Sequence, residues 1–278
     1  MDEAEASGPF GALDPDRFTL LRRAVRIWAV GAVRGDSERL AALHDEIGAR
    51  WVSGDRIVYL GDYVGHGPAV VETIDELLRF RRLVLAQPPF THLDDVVFLR
   101  GSQEEMWSKL LQLQFASEPT RVLDWMFERG VRRTLEAYGG NSSHAYAAAR
   151  DGSLALSRWT QSILGRMRAR AGHSEFHAAL KRAAFTENGG LLLVNAGIDP
   201  TLPLERQGDR FWWDAGGFAS MKAPFAGLGV VVRGSDPARS GLVTGSHTVS
   251  LDGGSGLDGE LLAVCLSPKG DVVEALVA

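Results

Sequence analysis

An α/β fold built on parallel crossovers is predicted by three features of the sequence. Short apolar, β-branched runs alternate with helical periods from Val25 to Leu99. The first two of these runs end at a glycine, Gly31 and Gly61, where open α/β sheets expose their strand ends. At 278 residues, 45% of them hydrophobic, the chain is long and apolar enough to bury one large core.

The elements follow in order. Residues 1 to about 16 are acidic, contain Gly and Pro and have no period, so a disordered tail is expected before one domain spanning 17–278. Val25–Val30 reads as the first strand, and Leu40, Leu43 and Ile47 give the following helix over Ser37–Arg50. Ile57–Leu60 is the second strand; Val70, Ile74, Leu77 and Leu78 mark a helix entered after Pro68. Asp95–Leu99 is the third strand. Strand–helix–strand–helix–strand at this spacing implies right-handed parallel crossovers. From Glu104 to about Arg182 the pattern turns helical, interrupted at Gly139–Ser143, as a helical insertion on the same domain. Leu191–Val194, Gly241–Thr244, Leu261–Leu266 and Val272–Val277 return to strand, with glycine-rich turns, and suggest a second, mixed sheet.

Bulk properties exclude several classes. A net charge of -5 argues against a nucleic-acid binder. The single Cys265 rules out an internal disulfide framework and reads as a buried strand residue. No run reaches the ~20 apolar residues of a membrane span. Arg22-Arg23 precedes too short an apolar run for an export signal, and a cytoplasmic protein is expected.

Chemistry concentrates in Ile57-Val-Tyr-Leu-Gly-Asp-Tyr-Val-Gly-His-Gly-Pro68, which sets the carboxylate of Asp62 at the end of a buried strand. Further blocks follow in order: Trp125–Gly130, Thr134–Gly139, Asn195–Pro200, Gln207 before Phe211-Trp212, and Leu251-Asp-Gly-Gly. The whole resembles the serine/threonine protein phosphatase and symmetrical dinucleoside-tetraphosphatase branch of the calcineurin-like metallophosphoesterases. That resemblance implies a sandwich of two mixed β-sheets flanked by helices. It also implies a site where two divalent metals share an Asp and a hydroxide and clamp a phosphate.

Most of the residues that such a site needs are changed. The first motif, Gly-Asp-x-His-Gly, reads Gly31-Ala-Val-Arg-Gly35, so Ala32 replaces a carboxylate and Arg34 an imidazole. A guanidinium repels a metal instead of ligating it. Gly65 and His66 stand for the family's Asp and Arg. Asp62, the bridging position, is kept. In the third motif Ser102 and Gln103 replace Asn and His, and an amide cannot supply the proton of a general acid, a loss of roughly 10²–10⁴-fold. Asn195 replaces the fourth motif's His, Ser246-His247-Thr248 matches the fifth, and Asp214 aligns with a phosphate-gripping Arg.

No cofactor is expected on this reading; the alternative is one Mn-, Fe- or Zn-type ion held by Asp62, Ser102, Asn195 and His247. The preferred expectation is that Arg34 replaces the metal and pairs with Asp62. Arg100 is open between an anion contact and a structural ion pair, and Glu104 reads as a hydrogen-bonding partner. His66 reads as a surface-turn residue, the alternative being an anion contact when protonated. Gly254-x-Gly256-x-x-Gly259 precedes a strand and is a turn, not a dinucleotide fingerprint. The chain thus reads as a catalytically inactive pseudophosphatase that binds a partner protein, or a phosphorylated or nucleotide ligand. The alternative is a weak single-metal phosphoesterase acting on phosphoprotein or dinucleoside polyphosphate.

Overall fold

A computed structural model describes residues 13–87, 92–213 and 215–278. Residues 1–12 of the expected tail lie outside the described residues; 13–16 lead through a turn, with the Arg17 and Phe18 N–H groups donating to Asp14 O, into strand β1 (Phe18–Leu21). Strand β2 (Arg26–Val30) and helix α1 (Ser37–Arg50) follow, the helix capped by Asp36, whose carboxylate accepts the Arg39 N–H. Strand β3 (Asp55–Tyr59), helix α2 (Val70–Leu85) and strand β4 (Val96–Phe98) complete the predicted crossovers, and β2, β3 and β4 pair in parallel.

Helices α3 (Ser102–Leu110), α4 (Pro119–Glu128), α5 (Val131–Ala137), α6 (Ser142–Asp151), α7 (Ser153–Arg168) and α8 (His173–Ala178) form the helical region. Trp107, Leu110, Leu123, Met126, Leu135 and Ile163 close a core of their own within it. Strand β5 (Ala183–Thr186), strand β6 (Leu191–Val194), helix α9 (Arg210–Trp213), helix α10 (Ala215–Ala219) and strand β7 (Val230–Arg233) come next. The chain ends with β8 (Gly241–Thr244), β9 (Thr248–Asp252), β10 (Leu262–Leu266) and β11 (Val272–Val277).

Two mixed sheets result, ordered β1-β5-β6-β7-β9-β8 and β11-β10-β2-β3-β4. Ala29, Val58, Leu60 and Val264 from one sheet and Leu191, Leu193, Val232 and Leu251 from the other fill the space between them. Helices α1 and α2 cover the outer face of the second sheet through Leu40, Leu43, Ile47, Ile74 and Leu77. The expected division of strands needs correction: β10 and β11 do not join the second half of the chain; β10 pairs antiparallel with β2, and β11 antiparallel with β10. The Leu-Ala-Val-Cys-Leu run of β10 is wholly buried because it sits centrally, between β11 and β2. Strands β1, β5, β7 and β9 are not anticipated from the sequence pattern.

Candidate functional site

Parallel strand ends from both sheets converge on Asp62. Ala32–Arg34 follow β2, Gly61-Asp62 follow β3, Arg100–Gln103 follow β4, Asn195 follows β6, Gly234–Asp236 follow β7, and Asp252 closes β9. Backbone bonds lock these turns together. The Ala32 N–H donates to Gly234 O at 3.0 Å, and the Val33 and Arg34 N–H groups to Asp62 O at 3.1 and 2.8 Å. Gly234 and Ser235 both donate to Asn195 O at 2.9 Å. Glycine is required at position 101, where a Cβ would lie 2.5 Å from Asp62 Oδ1. Arg34, Asp62 and His66 adopt left-handed backbone (φ 51°, 56° and 46°), which costs a non-glycine residue roughly 1–2 kcal/mol and gathers at functional sites.

Arg34 is buried, and its partner is not the expected one. Its Nη1 donates to Asp252 Oδ1 at 2.8 Å and its Nη2 to Asp252 Oδ2 at 2.5 Å, a bidentate pair. Asp252 also accepts the N–H groups of Asp236 (2.7 Å) and Gly254 (3.0 Å). The proposed Arg34–Asp62 pair is therefore corrected to Arg34–Asp252. Two local constraints account for this. Asp62 Oδ1 already accepts the Ser102 hydroxyl and the Gln103 N–H, both at 2.9 Å. Gly256 lies directly against Arg34, where a Cβ would come within 2.6 Å of the Arg34 Cβ, bringing the turn after β9 up to it. Burial works against the Arg34 charge; Asp252, with a smaller contribution from Asp62, outweighs it and holds the guanidinium above the usual arginine range.

Glu104 fastens the Asp62 turn from below. Its carboxylate accepts the N–H groups of Asp62 (2.9 Å), Tyr63 (2.8 Å), Val64 (3.3 Å) and Gly101 (3.0 Å). Burial, then the neighbouring Asp62 charge, push it up to about 7, against the pull of those donors. Gln103 donates from its amide to Arg129 O at 2.7 Å and lies 3.3 Å from His66 Nε2, while its Oε1 is buried with no hydrogen-bond partner. It fills the space left by Gly65, where a Cβ would sit 2.7 Å from the Gln103 Cδ. Burial, followed by the Arg34 charge, lowers the His66 pKa, so its imidazole is neutral at pH 7. Arg100 pairs with Glu105 at 2.9 Å. Asp214 lies outside the described residues.

His247 requires a second correction. It precedes β9, at the opposite end of the sheet from Asp252, with Nδ1 3.0 Å from Gly229 O. The turn that reaches the Asp62 cluster in its stead is Gly234-Ser235-Asp236, after β7. The Val230-Val-Val run ahead of Arg233-Gly234-Ser235 was the signal that could have identified it. Asp236 and Asp252 were likewise missed as site residues, although Leu251-Asp-Gly-Gly had marked the block.

These donors do not fit a two-metal centre. Ala32 offers a methyl, Arg34 a fixed cation, and the Ser102 hydroxyl is turned to Asp62. Asn195 spends its amide nitrogen on Leu60 O at 2.7 Å, leaving Oδ1 buried and unpartnered. Among the described residues no three His, Cys, Asp or Glu side chains are grouped to hold a metal. Nor, among them, is any helix long and apolar enough to cross a membrane.

No protein-family model matches the sequence, and neither does any curated protein. Solved structures do match. A candidate diadenosine tetraphosphatase is 18% identical, with 94% of this chain and 98% of that one covered and a TM-score of 0.56. A protein serine/threonine phosphatase from Saccharomyces cerevisiae, with similarity to human phosphatase PP5, is 12% identical over 95% of this chain and 83% of its own, TM-score 0.52. A cold-active protein-tyrosine phosphatase of a Shewanella species is 15% identical over 95% and 83%, TM-score 0.52. With its two mixed sheets flanked by helices, the chain has the calcineurin-like metallophosphoesterase fold.

Proposed function

We propose that this chain is a pseudophosphatase: a phosphatase fold that has given up two-metal hydrolysis and serves as a binding module. The carrying observation is the buried bidentate Arg34–Asp252 pair, a permanent cation with its own counter-ion at the position where the resemblance implies a metal ligand. Within that reading a protein partner is favoured over a phosphorylated or nucleotide ligand. Arg34 and Arg100 are each committed to a carboxylate, and His66 is neutral, so the grip on a phosphate is weak.

One observation favours the second reading, a weak single-metal phosphoesterase: the buried, unpartnered Oδ1 of Asn195, a side chain packed against Gly61 and Gly101. Turnover of an aryl phosphate and a dinucleoside polyphosphate in excess manganese, with metal analysis of the same sample, separates the two. No turnover and no stoichiometric metal support the binding module. Turnover lost on Asp62→Ala overturns it.

A further inference from the structure

A cleft opens beside α3, lined by none of the residues that bond Asp62. Its volume is about 360 Å³, and it is walled by Trp125 of α4 and Trp213 of α9, floored by Met106, and rimmed by Glu105, Lys109 and Asp209. The two indoles come from distant parts of the chain and meet at 60° with centroids 5.7 Å apart, an open V. Both are partly exposed, at 38% and 43%, whereas Trp28 and Trp107 are fully buried. Large aromatic faces left in solvent at the mouth of a cleft need a function other than core packing.

Charge decides what the cleft takes. Of the three ionic side chains on the rim two are acids, and Lys109 is already drawn to Glu105 at 3.5 Å. Glu105 is further committed to Arg100 at 2.9 Å. The Asp209 carboxylate is exposed and makes no ion pair or side-chain hydrogen bond among the described residues; the cation that feels its charge, Arg182, stands beyond ion-pair contact. A carboxylate with no direct partner beside indole faces favours a flat cation rich in N–H donors over a phosphate. The same wall already carries such a contact internally: the Arg129 guanidinium stacks 4.7 Å from the Trp125 centroid.

We propose that this cleft is a binding site for an arginine side chain of a partner protein, with the guanidinium on Trp213 and paired to Asp209. The biological meaning rests on the binding-module reading; the site itself does not depend on the fate of the Asp62 centre.

The test titrates the full chain, with its seven tryptophan indole N–H groups followed by NMR, with the capped tripeptides Gly-Arg-Gly and Gly-Glu-Gly and with AMP. The arginine peptide should shift two indole signals saturably, and those signals should be the ones missing from Trp125→Leu and Trp213→Leu. Asp209→Asn, an exposed change that leaves the fold intact, should weaken binding about tenfold. Shifts that fail to saturate, an equal response to the glutamate peptide, or tighter binding of AMP overturns the assignment. Arginine binding in a chain that also hydrolyses phosphate esters would overturn the pseudophosphatase reading and leave this site standing.

Discussion

Arg34 and Asp252 lie 218 residues apart in the chain and meet through two N–H···O bonds of 2.8 and 2.5 Å, joining the turn after β2 to the end of β9 and so one sheet to the other. Removing one partner of such a buried pair strands the other's charge, at a cost of about 3–5 kcal/mol. Arg34→Met should fall at the lower end, because Asp252 keeps its bonds from the Asp236 and Gly254 N–H groups. Urea denaturation of the variant should show a loss near 3 kcal/mol, and Arg34→Met with Asp252→Leu should recover much of it. A single variant within 0.5 kcal/mol of the parent, on the order of a neutral surface change, would mean the pair is not closed in solution.

Glu104 gives the fold a pH dependence of unusual sign. Its folded pKa is raised to about 7 from a model-peptide value of 4.5, so between these limits the folded state holds more protons than the unfolded one. Its contribution to stability is therefore fully present below about 4.5 and is lost as the pH rises through 7. Glu104→Gln should lose that slope, although its absolute stability falls because an amide offers one acceptor oxygen to four N–H groups. Denaturant melts from pH 4.5 to 8 read both effects; an unchanged slope in the variant assigns the titration to another group.

Gly65 and Gln103 occupy each other's space. At φ 82° a side chain at position 65 is strained, and its Cβ would press on the Gln103 amide. Gly65→Ala should cost about 1–3 kcal/mol, and Gln103→Ala in the same chain should relieve only the contact part. Thermal melts of the two singles and the double check this; strict additivity would show that the two residues do not touch.

Restoring lost ligands should restore affinity for metal. Ala32→Asp with Arg34→His adds a carboxylate and an imidazole near Asp62, removes the fixed cation, and frees Asp252 as a further oxygen ligand. Calorimetric titration with manganese should show binding at least about tenfold tighter than in the parent. Equal affinity in the two proteins would mean that Arg34 is not what keeps a metal out.

What could be read from the residues alone follows distance along the chain. Asp62 was legible because its strand, its glycine and its turn are contiguous, and the chemistry of Ala32, Arg34 and Gln103 was legible from their identity. The partner of Arg34 was not, because side-chain direction is set by packing: the close approach of Gly256 and the prior claims of Ser102 and Gln103 on Asp62 exist only once β9 is in place. His247 was misplaced for a related reason. Its Ser-His-Thr string fits a motif, but the turn after strand β7 is the one that reaches the cluster, and the β9 register carries His247 to the far end of the sheet. The Trp125–Trp213 pair was also invisible, since it joins two helices separated by the whole of β5 and β6.

The central claim is that a fixed guanidinium with its own carboxylate, and not a metal, occupies the Asp62 centre. Electron paramagnetic resonance of manganese titrated into the wild-type chain tests it most directly. The free aqueous signal should grow in step with every addition, at the same rate as in buffer. Loss of that signal up to one or two ions per chain, reversed by Asp62→Ala, would contradict the account.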